Sequence, residues 1–581
     1  MSNLSQVLRT VRHLRFSQVA TRVRRLLTRR RLTKIDAPDV IVFRNAPECF
    51  PHFPELSHPC ATGEELLTNL EQRRLPALNQ RLEMANGDEI DWRLGAVSSD
   101  RLPTITLHYH QWLYELARIA ADRDDQAVRA GTVLEELLES WLKQCPIKRP
   151  GAGALAWNSY AIATRLGWSI RTSNLLAATP ESRGSISPRL LDDWRRSLWQ
   201  QAVHLHANLE WDLRANHLLR DAVGLAWAGR FFSGIEADRW MRTATRLALS
   251  QATEQMLPDG GHFERSPFYH LEVMDDWLSL ALLLSDPAAR QQMRQTWQKA
   301  AEYICWMRHP DGRVAQFNDG AAASADEHLR HGAAIGVEPD LSPRLGGKYF
   351  KDSGVVVWHG DLWAVFFDVG QIGPDYQPGH AHADSLSIEA SFAGQRLLVD
   401  PGCHSYDLDE RRQYDRATRS HNTVCIDGTD SSEVWHIFRV GRRARPLNAG
   451  VNLTAEGLSA YAEHSGYDHL PGRPRHHRTV EIQNDGCMTV SDRVTGQGHH
   501  RVEGGWLLAP DWSIQKLNDG WALSRGEATV KLTVSTDVPI KTILDYAPYH
   551  PDYGVEETVA RISWRYAGDL PLSVDSVFTP V

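Results

Sequence analysis

The hydrophobic period of this chain changes once, near residue 345, and a fold must accommodate both halves. From about 107 to 310 the apolar residues recur at helical spacing. Examples are "LHYHQWLYELARIAADRDD", "AGTVLEELLESWLKQC", "PRLLDDWRRSLWQQAVHLHANLE", "NHLLRDAVGLAWAGRFF", "EADRWMRTATRLALSQATEQML" and "ARQQMRQTWQKAAEYICWM", each the length of one helix. Short connectors such as "ATPESRGSIS" and "LPDGGHFERSP" join them. Consecutive helix hairpins with no strand between imply an all-α unit, and a bundle, a solenoid or a toroid fits. No fixed-period repeat chooses among these. After "LSPRLGGKYFKDSG" the period becomes two. "GVVVWHGDLWAVFFDVG" alternates around a turn at His359-Gly360-Asp361, and "SLSIEASFAGQRLLVD" makes two strands around Ala393-Gly394. "RTVEIQNDGCMTVSDRV" and "IQKLNDGWALSR" each carry Asn-Asp-Gly, a hairpin signal. Residues from about 350 to 581 therefore read as stacked antiparallel sheets.

A chain of 581 residues exceeds one core, so two or three domains are expected. A net charge of −8 argues against wholesale nucleic-acid binding. No uninterrupted apolar run is long enough to span a bilayer. Seven cysteines (Cys49, Cys60, Cys145, Cys305, Cys403, Cys425 and Cys487) are scattered without Cys-x-x-Cys spacing, which suits reduced thiols better than a disulfide framework. The start, "MSNLSQVLRTVRHLRFSQVATRVRRLLTRRRL", is basic and lacks the apolar stretch of a signal peptide. Its Leu8, Val11, Leu14, Val19 and Val23 recur at roughly helical spacing. The preferred reading is a basic helix packed on the rest of the protein; contact with an anionic membrane surface is the other. Twenty tryptophans offer flat faces suited to sugar rings, although most such residues are core.

Three stretches carry chemistry. "RANHLLRDAVGLAWAG" puts Asn216 and His217 at a helix start, where Asn also serves as a cap. "PDGGHFERSPFYHLEVMDDW" gathers His262, Glu264, Arg265, Tyr269 and His270 in a loop that runs into a helix, the kind of place where function sits. "PGHAHADSLSIEASF" sets His380, His382 and Asp384 at period two, on one side if the chain is extended. Downstream, "LLVDPGCHSYD" ends a strand in Asp400, and "RATRSHNTVCIDG" places His421 just before a strand. Two His and one Asp from neighbouring strand ends suit a zinc site, and spacing alone leaves Asp384 and Asp400 equally eligible.

Together "NHLL", "DGGHFERSPFYH", "GHAHADSLSIE", "LLVDPG", "RATRSHNTV" and "FRVGRRARP" resemble, in order over residues 200 to 446, the heparinase II/III family of polysaccharide lyases. The resemblance implies an α+β multidomain fold: a basic N-terminal segment (1–60), an incomplete (α/α) toroid (61–345) and an antiparallel β-sandwich (346–581). It implies cleavage of a uronate-containing polysaccharide by β-elimination. That reaction needs a group to neutralise the uronate carboxylate, a base at C5 and an acid for the departing O4. By resemblance, Asn216 binds the carboxylate and Tyr269 serves as base and acid, its pKa lowered by electropositive surroundings. His380 neutralises the carboxylate or is base for the other epimer. His382, Asp400 and His421 would hold a structural zinc ion, with Asp384 orienting a ligand histidine; no organic cofactor is implied. His217, Glu264, Arg265, Trp435, Arg439 and Arg442 are candidate substrate contacts, although "FRVGRRARP" is equally readable as a surface basic run.

Glycosaminoglycans such as heparan sulfate, heparosan or hyaluronan, a bacterial exopolysaccharide, and an alginate-type polymer are the candidate substrates. Two readings from other classes compete. A glycoside hydrolase needs a carboxylate pair, for which Asp259 and Glu264 stand nearest. A non-catalytic polysaccharide-assembly partner would not need Asn216, Tyr269 and His380 together. The basic start resembles that of bacterial proteins of capsule or exopolysaccharide production. A cytoplasmic or membrane-associated location is expected, with the periplasm and the exterior open, as is the oligomeric state.

Overall fold

In the computed structural model the described residues are 4–28, 35, 37, 41–43, 53, 63–86, 89–94, 100–121, 126–148, 154–178, 186–454, 457–483 and 485–581. Cys49, Cys60, most of the stretch between 29 and 62 and most of the connector "ATPESRGSIS" lie outside them.

The helices in chain order are α1 (Leu4–Val11), α2 (Phe16–Thr28), α3 (Gly63–Glu71), α4 (Leu102–Leu107), α5 (Gln111–Ala121), α6 (Ala127–Gln144), α7 (Ser159–Ala178), α8 (Pro188–Ala207), α9 (Ala215–Phe231), α10 (Ile235–Gln255), α11 (Pro267–Leu283), α12 (Pro287–Trp306) and α13 (Ala325–Arg330). Their starts are written locally. Ser187, Ser266 and Asp286 each precede a proline at the first helical position and accept a backbone N–H of the first turn. "LHYHQWLYELARIAADRDD" is not one helix. His110 has φ +63°, so α4 stops and α5 starts afresh at Gln111.

Odd and even helices form two rows. α5, α7, α9 and α11 pack in succession as an inner row, and α6, α8, α10 and α12 back them as an outer row. Among the described residues no substantial packing joins α5 to α11. The double row is thus an open ring of helix hairpins, the incomplete (α/α) toroid anticipated above. The inner helices are covered on nearly all sides, yet α7, α9 and α11 each keep a stripe at helical spacing free to line a cleft.

Before the inner row come two small hairpins that the helical reading did not anticipate: β1 (Arg74–Ala77) with β2 (Gln80–Glu83), and β3 (Ala85–Asn86) with β4 (Glu89–Ile90). After the helices the strands are all antiparallel. β5 (Gly346–Phe350), β6 (Val355–His359), β7 (Trp363–Asp368), β8 (Ile388–Phe392) and β9 (Gln395–Leu398) form a five-stranded meander. The turn between β8 and β9 is Ala393-Gly394, both at positive φ (47° and 79°), as a two-residue hairpin requires. A single bridge, Leu398 to Leu508, connects this sheet to a four-stranded one. An eight-stranded sheet built between Pro446 and Pro580 packs against both. The segment "IQKLNDGWALSR" turns at Asn518-Asp519, and Gly520 already belongs to the returning strand.

The alternation of β6 and β7 has an unexpected cause. Every residue of Val355–His359 is buried, as is Trp363–Phe367. Val355, Val357, Ala364 and Phe366 join the helical core, whereas Val356, Trp358, Trp363, Val365 and Phe367 join the core of the sandwich. Both faces are dry, so these strands read as continuous apolar runs. The sheet is a wall shared by the two halves.

Candidate active site

A cavity of about 1280 Å³ lies between the inner helices and the β half. Tyr160, Gly167 and Arg171 of α7, Asn216, Arg220 and Trp227 of α9, and Tyr269, Glu272 and Asp275 of α11 form one wall, each set at helical intervals. His380, Tyr406, Trp435 and Arg439 form the other. Arginines face it from both sides, Arg443 included, as suits an anionic ligand. Arg220 is itself held by Asp276 at 2.9 Å and Glu272 at 3.4 Å.

Tyr269 occupies the first turn of α11, where its backbone N–H donates to the Ser266 hydroxyl at 3.1 Å. Its ring lies flat on that of His380, with centroids 3.6 Å apart and planes 7° from parallel. Its hydroxyl is 2.6 Å from that of Tyr406. The electropositive setting expected to lower its pKa is not there. Burial pushes the Tyr269 phenol well above its ordinary value, and Asp319 adds to the rise, against the opposing hydrogen bond from Tyr406. In the free protein it is a neutral acid. Tyr406 was missed by sequence reasoning. It sits in "LLVDPGCHSYD", a stretch noticed only for Asp400, and nothing local announces that its hydroxyl reaches a helix more than a hundred residues away.

The expected extended run at 380–384 is an irregular loop, and β8 begins only at Ile388. The Asp319 N–H donates to the His380 carbonyl at 2.9 Å, and the His382 N–H donates to Asn318 Oδ1 at 2.9 Å. Held in this way, the two imidazoles part company: His380 lines the cavity and His382 is fully buried behind it.

Asn216 is not a cap. Arg214 holds that position with φ +63°, and Asn216 is the second residue of α9. It is buried at the cavity wall, and its side-chain carbonyl oxygen has no hydrogen-bond partner. A buried amide with a vacant acceptor is costly unless a ligand meets it. Beside it, His217 Nδ1 lies 3.3 Å from Glu210 and its ring meets that of Tyr160 at 4.9 Å. Burial disfavours its charge, but Glu210 more than compensates, so the His217 imidazole is raised above its ordinary value.

Three residues expected at the substrate are elsewhere. Glu264 is buried behind His380, with Oε1 3.1 Å from Nδ1, and does not line the cavity. The two atoms are close but out of line for a straight hydrogen bond. Burial opposes its charge, yet His380, His262 and His217 outweigh that and hold the carboxyl below the usual range. Arg265 points away: its guanidinium donates to the Ser353 carbonyl and, at 3.0 Å, to that of Asp352, tying the loop to the turn after β5. Trp435 and Arg439 do line the cavity, with the guanidinium 4.9 Å over the indole ring. Arg442 does not; its backbone N–H donates to Glu433 at 2.9 Å. The carboxylate pair of the hydrolase reading also dissolves. Asp259 accepts from the Ser353 hydroxyl and backbone N–H, both at 2.7 Å, and neither it nor Glu264 reaches the cavity.

His382, Asp400 and His421 come together, all buried, with one donor atom each lying within 4.8 Å of the others. His421 Nδ1 is 2.7 Å from Asp400 Oδ2, and His382 Nε2 is 2.8 Å from Asp319, which Arg412 grips in turn. The second nitrogens, His382 Nδ1 and His421 Nε2, have no partner. Burial pushes the Asp400 carboxyl well above its usual range. Orphaned imidazole nitrogens beside a buried carboxyl are what a divalent cation would satisfy, and the N, N, O donor set suits one. Asp384 does not hydrogen-bond a ligand histidine through Oδ2, which has no partner; burial, with Asp368 adding and His421 opposing, pushes its carboxyl well above its usual range. A second buried cluster went unnoticed in the sequence. Asp275 sits between His328 at 3.2 Å and His331 at 3.3 Å, and the two histidines hold its carboxyl far below its usual range against the pull of burial.

Residues 2–334 match the family model for the heparinase II/III N-terminus, and residues 342–573 match the heparinase II/III-like C-terminal model. A heparin-sulfate lyase of Bacteroides stercoris is 23% identical over 456 residues, covering 71% of this chain and 64% of that protein. One from Pedobacter heparinus is 22% identical, covering 73% and 65%. The chain thus spans just under two thirds of these curated relatives. A solved heparinase III structure superposes with a TM-score of 0.74 at 17% identity, covering 91% of this chain and 87% of that one.

Proposed function

The chain belongs to the heparinase II/III family, and from that premise we propose that it is a polysaccharide lyase that cleaves a uronate-containing polymer by β-elimination. The observation that carries this is the stacked Tyr269–His380 pair, facing the cavity that Asn216 also lines.

The Asn216 side-chain NH2 donates to the uronate carboxylate and favours the enolate-like form that develops when the C5 proton leaves. His380, with Glu264 behind its Nδ1, takes that proton through its other nitrogen. Tyr269, neutral because it is buried, gives its proton to O4 as the C4–O4 bond breaks. The electron pair of the C5–H bond becomes the C4–C5 double bond. The products are a 4,5-unsaturated uronate end and a new hydroxyl end. The proton on His380 returns to solvent, and Tyr406, 2.6 Å away, offers Tyr269 a route for reprotonation.

Base and acid stand side by side where the two walls meet, their rings stacked. That arrangement suits syn elimination from a glucuronate, whose C5–H and C4–O bonds share a face, over an iduronate, whose bonds do not. His217, Trp435 and Arg439 are the proposed further contacts to an acidic chain, which is the partner the cavity's arginines favour. We assign a zinc ion to His382, Asp400 and His421, where it would tie three chain segments together behind His380.

The test is a substrate panel followed by near-ultraviolet absorbance: heparosan, hyaluronan, chondroitin, dermatan, heparan sulfate, alginate and a bacterial glucuronate polymer. An absorbing product from glucuronate polymers, with dermatan resistant, is expected. Reducing ends without absorbance would replace elimination by hydrolysis, and binding without cleavage would leave only an assembly partner.

A further inference from the structure

The two N-terminal helices are inside out. A docked amphipathic helix normally buries its apolar stripe and shows its polar one. Here Gln18 is fully buried and Thr21 is 9% exposed, whereas Leu4, Leu8 and Phe16 are 73%, 61% and 87% exposed. The inward contacts are polar. Arg9 pairs with Glu433, and the Trp435 indole N–H donates to the Thr10 hydroxyl at 3.1 Å. Gln18 Nε2 donates to the Asp212 carbonyl at 3.2 Å and the Tyr376 carbonyl at 3.1 Å. Arg15 pairs with Glu254 at 2.8 Å and lies 3.7 Å over the Tyr376 ring. These anchors fall on both halves of the protein, so α1 and α2 bridge the cleft; Val7, Thr10 and Leu14 line it, and Val11 and Arg22, partly exposed, border its mouth.

The outward face has a regular pattern. Leu4, Leu8 and Val11 stand at i, i+4 and i+7 on α1, and Phe16, Val19 and Val23 at i, i+3 and i+7 on α2. Each triplet is one continuous stripe. Exposed Arg12, Arg22 and Arg24 flank them. The first 35 residues hold nine arginines and no acidic residue, in a chain whose net charge is −8. An apolar stripe bordered by cations, on short helices that cannot cross a bilayer, matches an interfacial helix.

We propose that α1 and α2 form a docking surface for an anionic lipid membrane, and that their inward contacts hold the mouth of the cleft against that membrane. Leucine, valine and phenylalanine side chains enter the boundary between headgroups and acyl chains, and the arginines meet lipid phosphates. The charge bias argues for an anionic bilayer over a second copy of this chain, whose surface would bring the same arginines. The consequence for the cleft rests on the lyase reading; the docking does not.

The test uses the full chain with vesicles of phosphatidylglycerol and phosphatidylcholine mixed, and of phosphatidylcholine alone. The wild type should sediment with the mixed vesicles and remain in solution with the neutral ones. Added salt should weaken the binding. The combined variant Leu4→Ser, Leu8→Ser, Phe16→Ser touches no cavity residue and should lose binding by roughly tenfold or more, as removal of three inserted apolar side chains requires. Its light scattering and cleavage in solution should match the wild type. Equal sedimentation of wild type and variant, or none by either, overturns the proposal. So does a wild type that self-associates while the variant is monomeric and neither binds lipid, which would assign the face to a second copy. Failure to cleave any polymer would sink the lyase reading and leave the sedimentation result standing.

Discussion

His380 and Tyr269 lie face to face, 3.6 Å between ring centroids, although one comes from a loop of the β half and the other from the first turn of a helix. Contact this close keeps either ring from turning without the other. It also sets a nitrogen base beside a phenol acid where the two walls of the cavity meet, facing the same space.

Replacing Tyr269 with phenylalanine keeps the stack and removes only the hydroxyl. Turnover should fall by roughly 100- to 10,000-fold, the range for loss of a general acid. Affinity for an uncleaved oligosaccharide should change little. Full activity in Tyr269→Phe, measured by product absorbance, would remove Tyr269 from the chemistry.

Glu264 touches no substrate in this arrangement and acts through His380. Glu264→Gln preserves shape and removes the charge. We expect kcat to drop on the order of 100-fold with KM nearly constant, the pattern for a group that orients and stabilises a base. A rise in KM with normal kcat would return Glu264 to the substrate-binding role that its position in the sequence suggested.

Purified protein should carry about one zinc per chain by elemental analysis, as expected of a single closed site. His421→Ala should lose it and melt at lower temperature, and chelation of the wild type should lower its melting point similarly. Metal-free protein with an unchanged melting point would show that the two histidines and Asp400 need no ion.

Glu389, on β8, is fully buried against His309 at 3.2 Å and Arg396 at 3.6 Å. Burial pushes its carboxyl up to about 8, with Arg396 opposing. Its folded value lies above the unfolded one of about 4.3, so the folded state binds the extra proton between them. The stabilisation from this group is complete below the lower value and is lost as pH rises through the upper one. Glu389→Gln should therefore flatten the fall in melting temperature between about pH 5 and about pH 8, since it cannot release a proton. Identical slopes in the two proteins would contradict the assignment.

Period and turn chemistry made much of the architecture legible. The helices have cap-and-proline starts, and the hairpins have their glycines. What escaped were facts of assembly. The segment 378–387 has strand-like spacing, but hydrogen bonds with residues 318 and 319 fold it into a loop that separates His380 from His382. Glu264 and Arg265 are adjacent in a polar loop, yet one turns inward behind His380 and the other back to the turn after β5; only partners distant in sequence decide this. The clustering of His382, Asp400 and His421 was anticipated only through family resemblance, because its members stand far apart and spacing alone left Asp384 and Asp400 equally eligible. The N-terminal stripe was read correctly as helical, and its outward orientation follows from the polar anchors Glu254, Glu433 and Tyr376, which no local pattern reveals.

The doubly buried wall of β6 to β8 bears on how this protein can be divided. Phe350, Val355, Val357 and Phe366 complete the core of the helices. Stripped of them, that core would forfeit roughly 6–12 kcal/mol of burial as an upper bound, comparable to the entire stability of an ordinary domain. The helical segment is therefore not a module that can be excised, swapped or left to fold first by itself. Calorimetry of the intact chain should record one cooperative transition, and a chain ending before Gly346 should expose greasy helix surface and aggregate. A cleft built from both halves is thereby protected by a core that the helical half cannot complete alone.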